Sequence, residues 1–556
     1  MTALGAAAAM ALPSVYPTGV TRYDPAKAYN TYVLFSGQDH KTHLIDMTGA
    51  EVKQWAQEAQ PPVLLDPALT GGQRGHVLLQ LESAPNAPGA ATLGYQAIGE
   101  LDWSGRVVWQ WSGVKAQPAY GGEGVTTDAS GRDGTARQHH DWRRLPNGDT
   151  VLLVNVVHAV PGFKAGTLLD DGIYEVTPKG EVVWQWLASE HLNEFGFSEE
   201  ALKLIRNGLP RNGASAPFDY LHFNNLSVVG PNKWFDAGDK RFHPDNLIVC
   251  SREANFTAVI DRQSGQVVWH LGPDYPAAAA AAAATAATNG DGVLPRPVDQ
   301  IIGQHDGHII PKGLPGAGNL LVFDNQGEAG YPRAAVGTQP RSRVLEIDPV
   351  KKEIVWQYTA VNSGQPGWAF YSSFISSARR LPNGNTLIDE GMNGRFFQVT
   401  PQGEIVWEYV SPYVGESRTG GGGRAVSSNA VYRAQPVPYD WVPEGTPRSE
   451  KPVTMTSSAP IDAGHEVGIA FANQGGIVNW RPQGDDALLV EGRGGLWYLV
   501  KLQGASTNLP YAEGVRFVPG PSGALARLDA VEVRGQRFGV VSVTRVPAPV
   551  KQAPGG

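Results

Sequence analysis

VVWQW at residues 107–111 returns as VVWQW at 182–186, VVWHL at 267–271, IVWQY at 354–358 and IVWEY at 405–409. A degenerate copy, VKQWA, occupies 52–56. Most copies follow an alternating apolar segment and a Gly-containing turn: IGELDWSG before Arg106, IYEVTPKG before Glu181, AVIDRQSG before Gln266 and FQVTPQG before Glu404. Period-2 alternation marks a half-buried strand and Gly supplies the turn, so the unit reads as a β-hairpin. Eight of the 15 Trp lie in these phrases, which makes them packing layers between neighbouring units.

A second phrase precedes the hairpins. It reads HHDWRRLPNGDTVLL from His139, LHFNNLSVVG from Leu221, QHDGHIIPKG from Gln304 and ISSARRLPNGNTLI from Ile375. Its Pro-Asn-Gly segments are turn signals between two further strands. Four strands per unit is the make-up of a propeller blade. Six units follow, at about 32–56, 74–111, 140–186, 222–271, 305–358 and 376–409. The expected fold is all-β: a six-bladed β-propeller over 29–413, preceded by a leader or N-terminal segment at 1–28. A Gly/Pro/Ser-rich linker at 414–465, containing the four-Gly run 420–423, and a small β-rich C-terminal module at 466–556 complete it.

Composition agrees. Of 556 residues, 67 are Gly and 42 Pro, about a fifth of the chain against the usual ~12%, which disfavours helical bundles and coiled coils. Disorder is excluded by 42% hydrophobic and 9% aromatic residues, enough for a large core. The net charge of −8 and the absence of a basic stripe exclude nucleic acid as an expected partner. The single Cys, Cys250, permits no intramolecular disulfide and no cysteine-based zinc site. Residues 3–12 are a short apolar run, readable as the tail of a secretory leader but too short to span a bilayer. An extracytoplasmic location, periplasmic or secreted, and no membrane span are the expectations. The alanine-rich run 277–287 reads as a surface loop or short helix without chemistry.

Propellers converge their innermost strands on a central channel where ligands bind. Aligning Leu145-Pro146 with Ile310-Pro311 and Leu381-Pro382 puts His140, His305 and Ser376 at one position, and a looser match adds His222. Three consecutive units thus present a histidine to the channel. Side-chain alternation favours His140 over His139 and turns His308 away from His305, at most as a supporting residue. His40, His43, His76, His158, His191, His243, His270 and His465 read as satisfied polar residues of the β framework.

Three convergent histidines have two chemistries. One is a metal site with an open position. The other is a neutral imidazole nucleophile whose neighbours stabilise an oxyanion. A cation in the cluster favours the second, and Arg252 stands on the second strand of the His222 unit. Asn224, two residues after His222, adds a neutral donor on the same face.

The opening VYPTGVTRYDPAKAYNTYVLF with HLIDMTG, the HHDWRRLPNG and HFN segments, the SR of the next strand, the repeated VVWQW and the later NAVYRAQPVPYDWVP resemble the bacterial-type arylsulfotransferases. The likeness covers roughly 15–443. It implies a six-bladed propeller that moves a sulfuryl group from an aryl sulfate to a phenol, by a ping-pong mechanism through a sulfohistidine, with no adenylyl-sulfate donor and no cofactor. Carried over by position, His305 is the nucleophile, with His140, His222 and Arg252 holding the sulfate and Asn224 as the HxN asparagine. His139, His308, Trp142 and Tyr371 complete the expected substrate contacts, and Trp368 and Phe370 are further candidates at the channel mouth. The chain departs from better-known members in its single Cys, since they carry a disulfide, and is expected to lack their N-terminal β domain. The absence of a GxxxxGK[ST] loop argues against a nucleotide-dependent enzyme of the same reaction type. The competing expectations are a metal-dependent propeller lyase or hydrolase using the same histidines, and a non-catalytic binding propeller. A quinone-cofactor dehydrogenase is a weaker fourth, because those usually have eight blades. Oligomeric state is not legible.

Overall fold

The computed structural model describes residues 18–83, 95–111, 137–210, 216–275, 294–334, 341–365, 367–418, 425–454, 467–470, 472, 475–504, 509–512, 514–519 and 523–549. The readings of 3–12, 277–287, 420–423 and His465 lie outside them. The protein is all-β, and it divides into two compact units, Tyr23–Pro452 and Met1–Arg22 with Val453–Gly556.

In the larger unit each repeat becomes an antiparallel meander. Phe223–Val228, Leu247–Ser251, Phe256–Ile260 and Val267–Leu271 pair in chain order. So do His305–Ile309, Leu320–Asp324, Arg343–Asp348 and Glu353–Tyr358, with Arg296–Pro297 added at the far edge. Ser377–Arg380, Thr386–Glu390, Arg395–Val399 and Ile405–Val410 repeat the pattern. Two further sets share one sheet. Val63–Leu64, Val77–Ser83, Tyr95–Leu101 and Val107–Trp111 meet Arg137–Arg144, Thr150–His158, Leu168–Val176 and Val182–Leu187 through the single pair Tyr95–Gln138.

The first repeat supplies only Tyr32–Ser36, Thr42–Ile45 and Glu51–Trp55. Its fourth strand, Gln435–Val437, comes from the far end of the unit and pairs with Tyr32–Leu34. The stretch expected as a linker therefore carries structure. Its Pro-rich sequence suits a short edge strand, where a missing N–H is tolerated.

The recurrent Trp bind sheet to sheet. The indole N–H groups of Trp186, Trp269, Trp356 and Trp407 donate to carbonyls in the turns of the following repeats, at Gly265 (2.8 Å), Pro349 (2.9 Å), Pro401 (2.9 Å) and Met47 (2.8 Å). The last of these joins the final repeat to the first. Apolar clusters also span neighbouring sheets: Leu153 and Ile173 pack with Leu226 and Phe256, and Ile248 and Val259 with Leu345 and Ile347. Full burial of such side chains contributes about 1.5–3 kcal/mol each.

The first strands are not regular. Their pairing shifts between Leu152 and Val154, between Phe223 and Asn225, and between His305 and His308, so each is bulged close to a histidine. Bulges redirect side chains and break the two-residue alternation.

In the smaller unit Ile477–Pro482, Ala487–Gly492, Trp497–Leu502, Gln536–Val546, Ala530–Val533 and Val515–Val518 pair in that order. The eleven-residue strand Gln536–Val546 serves Trp497–Leu502 with one half and Ala530–Val533 with the other. Leu488, Val490, Val500, Val531 and Val543 form its core. Among the described residues no helix is long and apolar enough to cross a membrane.

Candidate active site

The first strands end on Arg144, Val228, Ile309 and Arg380, paired with Thr150, Leu247, Leu320 and Thr386. Four residues back from each end stand His140, Asn224, His305 and Ser376. By strand pairing, however, His305 lies opposite the fourth residue of its partner strand, as do Asn225 and Ser377, so the register expected from the sequence is offset by one residue between repeats. His222 stands two residues short of the counted position. The cause is the turn after Val228, which is rebuilt with helical turns at Lys233–Asp236 and Lys240–Phe242 in place of Pro-Asn-Gly. His222 still reaches the group. Its ring centroid lies 4.7 Å from that of His140, edge to face. Both residues have left-handed φ, 53° and 52°. Asp306, Ile375 and Ser376 share that conformation, with φ of 56°, 55° and 90°. Each such non-glycine position costs about 1–3 kcal/mol, and strain of this kind concentrates at functional sites.

His305 is 2% exposed. Its Nδ1 faces two oxygens, Gly303 O at 3.0 Å and Asn325 Oδ1 at 2.7 Å, so Nδ1 carries the proton. Nε2 accepts from the Ile375 N–H at 3.1 Å. Burial pushes the His305 pKa down to about 3, reinforced by the positive charge of Arg252 and His222, which outweighs the bond to Asn325. The ring is neutral near neutral pH.

His222 is shifted in the opposite direction. Burial opposes its charge, but the Asp219 carboxylate 2.6 Å from Nδ1 prevails and raises the pKa above its ordinary value. Asp219 is correspondingly lowered: His222 outweighs the cost of burial. Arg252 lies within electrostatic reach of His222, Asp219 and His305, its backbone N–H bonds the His222 carbonyl at 3.1 Å, and its guanidinium pairs with Glu253.

His140 is held neutral by burial, then by the charge of His222. His139 stands behind it: the two Nδ1 atoms are 2.7 Å apart, and His139 Nε2 is 3.4 Å from Asp171. Burial takes the His139 pKa down to about 3, while burial and Asp219 raise that of Asp171 well above its ordinary value. Asn224 is fully buried, and its Nδ2 donates to the Gln304 carbonyl at 2.8 Å. The expected neutral donor is therefore already used, holding the residue before His305. Its Oδ1 has no partner among the described residues.

Other expected contacts lie elsewhere. Trp142 is 1% exposed and packs in a core cluster with Leu152 and Val154. Phe370 is buried with Phe323 and Tyr358, and Trp368 packs against the same cluster. Tyr371 is half-buried, its N–H bonded to Glu390 at 2.9 Å. His308 is buried among Arg379, Arg143 and Arg433, not with the other histidines. The framework histidines are paired, for example His43 with Glu51 (2.6 Å), His158 with Asp170 (2.9 Å) and His270 with Gly272 O (2.6 Å). Among the described residues no group of three or more His, Cys, Asp or Glu is arranged to hold a metal ion.

Residues that sequence reasoning missed complete the site. The Tyr432 ring lies 5.7 Å from His140 and 6.5 Å from His305, and its hydroxyl donates to the Asn224 carbonyl at 2.7 Å. Arg433 bonds Asp141 at 2.8 Å and stands 3.3 Å from Asp306, the residues that follow His140 and His305. Asp141 also accepts from the Leu226 N–H (3.0 Å) and Asp306 from the Ala378 N–H (3.2 Å), each tying its strand to the next repeat.

A family model described as arylsulfotransferase (ASST) matches residues 73–416, more than half of the chain. No curated protein matches. Among solved structures, the chain resembles a protein of unknown function from Bacteroides caccae at 12% identity, covering 74% of this chain and 99% of that one with a TM-score of 0.36. It resembles a streptogramin B lyase at 12% identity, covering 76% and 94%, TM-score 0.29. The Dos1 propeller matches at 8% identity, covering 87% and 84%, TM-score 0.29. At TM-scores this low none of the three bears on fold or chemistry.

Proposed function

The chain belongs to the arylsulfotransferase family, a family of transferases, and from that premise we propose that it moves a sulfuryl group from an aryl sulfate to a phenol in two steps, through a sulfohistidine at His305. The observation that carries this reading is the pair of environments given to two imidazoles of one site: His305 Nδ1 faces an amide oxygen and a carbonyl and its pKa is pushed down to about 3, whereas His222 Nδ1 faces the Asp219 carboxylate and its pKa is raised. Groups pushed apart in pKa by their surroundings take opposite roles in acid–base chemistry. A neutral nucleophile beside a cationic acid and an arginine is what sulfuryl transfer needs.

In the first step Nε2 of His305 gives up its bond from the Ile375 N–H, and the freed lone pair forms a bond to sulfur. The S–O(aryl) bond breaks with its electron pair on the departing phenolate, which takes the His222 proton. Arg252 stabilises the sulfuryl oxygens. In the second step neutral His222 accepts the proton of the incoming phenol, its oxygen attacks sulfur, and the N–S pair returns to Nε2.

We read the eight-stranded sheet as two blades joined by one bridge, which with the other sheets makes a six-bladed propeller. The strand Gln435–Val437 and the Trp407 bond to Met47 support a closed ring.

Incubation with 4-nitrophenyl sulfate and phenol tests the reaction. Wild type is expected to release nitrophenol, and His305→Ala to lose at least about 10³-fold in rate. The peptide carrying His305 should gain one sulfuryl group, lost in acid and kept in base. Equal release from both proteins would remove His305 as nucleophile.

A further inference from the structure

Asn325 is fully buried at the end of the strand paired with that of His305, and it makes three polar contacts. Its Nδ2 donates to the Ser372 carbonyl at 2.7 Å and to the Ile375 carbonyl at 2.9 Å. Both are oxygens, so the amide orientation is fixed and Oδ1 is the atom facing His305 Nδ1 at 2.7 Å. Ser342 holds the same turn, its hydroxyl bonding the carbonyls of Asn325 (3.0 Å) and Ser372 (3.2 Å). The Ile375 carbonyl and N–H are thus tied to the two ends of one arrangement. The carbonyl is anchored by Asn325 and the N–H is set at 3.1 Å from Nε2. A β-branched residue does not adopt φ of 55° unless its surroundings impose it.

We propose that Asn325 is a positioning residue which commits His305 to the Nδ1–H tautomer and so makes Nε2 the nitrogen that takes the sulfuryl group. This rests on His305 being the nucleophile. An imidazole has one lone pair in the ring plane, and the nitrogen that bears the proton cannot attack. When Nε2 bonds to sulfur and the aryl oxygen leaves with its electron pair, the ring becomes cationic while Nδ1 keeps its proton. Asn325 Oδ1 and Gly303 O then accept a charge-assisted bond, stronger than in the resting ring. The second step returns the N–S pair to Nε2 and the ring to neutrality. No proton moves on Nδ1 in either direction. Asn325 acts on the ring's electronic state without touching substrate.

Histidine labelled with nitrogen-15 in the ring, assigned by comparison with His305→Ala, reports the tautomer in the resting protein. Wild type is expected to show Nδ1–H alone. Asn325→Leu should populate the Nε2–H form and lower kcat by about 10²–10⁴-fold with KM little changed, the scale seen when another enzyme's catalytic histidine is held in the wrong tautomer. Asn325→Asp keeps the acceptor facing Nδ1 and adds a charge, while giving up the Nδ2 donor to the Ser372 and Ile375 carbonyls. The groups facing His305 are Arg252, His222, His140 and Tyr432, none of them changed by this variant. The acid limb of kcat/KM should therefore move to higher pH. An Asn325→Leu protein that keeps the Nδ1–H tautomer, or kcat within about 3-fold of wild type, would overturn the proposal. If that variant does not fold, an unmoved acid limb in Asn325→Asp does so. Full turnover by His305→Ala would instead sink the nucleophile reading, and the tautomer measurement would stand apart from it.

Discussion

His222 and His305 are both buried, yet their pKa values are shifted in opposite directions because of what lies against one ring nitrogen: a carboxylate in the first case, an amide oxygen and a carbonyl in the second. Asp219 is therefore the residue on which the acid role of His222 depends. The first step needs His222 protonated, and its folded pKa is raised, so activity should fall as pH climbs through that raised value. Asp219→Asn removes the attraction and leaves burial and the Arg252 charge, both of which lower the pKa. The alkaline limb of kcat should move to lower pH, with turnover several-fold below wild type near neutrality and close to it in mild acid. An alkaline limb that stays in place would show that another group donates the proton.

The bulged first strands carry the histidines, and one glycine shows what they require. A Cβ on Gly307 would lie 2.5 Å from Cys250 Sγ, on the neighbouring repeat's second strand. The Gly307 carbonyl meanwhile accepts from Asn225 Nδ2 (2.7 Å) and Ser227 (3.2 Å), which pins the strand to that repeat. Gly307→Ala should cost about 1–3 kcal/mol by overpacking and slow nitrophenol release by displacing His305. Adding Cys250→Ala should restore most of both, since the buried thiol, its pKa pushed up to about 12, is inert. A double variant no better than the single one, by chemical denaturation and initial rate, would locate the strain elsewhere. The same bulges explain what the sequence could and could not tell. Strand type, the hairpin repeats and the role of the Trp were legible because alternation and turn residues are local signals. His140 and His305 were legible because both units end in Pro-containing turns that fix register. Parity arguments fail across a bulge. Register could not be read at His222, where the turn is helical. Asn325 and Tyr432 join the site only through tertiary contact, and Asp219 reaches His222 from three residues upstream in a stretch that no repeat pattern marks.

Across the larger unit, the chain that leaves the last repeat runs past the histidines before it pairs with the first strand. On that passage Arg433 bridges Asp141 and Asp306, and the Tyr432 hydroxyl reaches Asn224. Pairing with the first repeat and assembly of the site therefore both use residues 432–437. Breaking one partner of a buried ion pair typically costs about 3–5 kcal/mol when the other charge is left unpaired, and less here because Asp141 keeps Arg143 and Asp306 keeps Arg379. Arg433→Met should lose about 1–3 kcal/mol in chemical denaturation at neutral pH. The pH dependence separates charge from packing. Burial raises the Asp141 pKa, but Arg143 and Arg433 outweigh it and hold it low. A carboxylate lowered on folding contributes stability that is present above its unfolded pKa, about 3.9, and lost as pH falls through the folded value. Arg433 supplies part of that contribution in wild type and none in the variant. The stability gap between the two proteins should be widest near neutrality and narrow as pH falls below about 3.9. A gap that stays constant over the same range would mean that Arg433 holds this passage by filling space against Tyr432, with its charge contributing nothing.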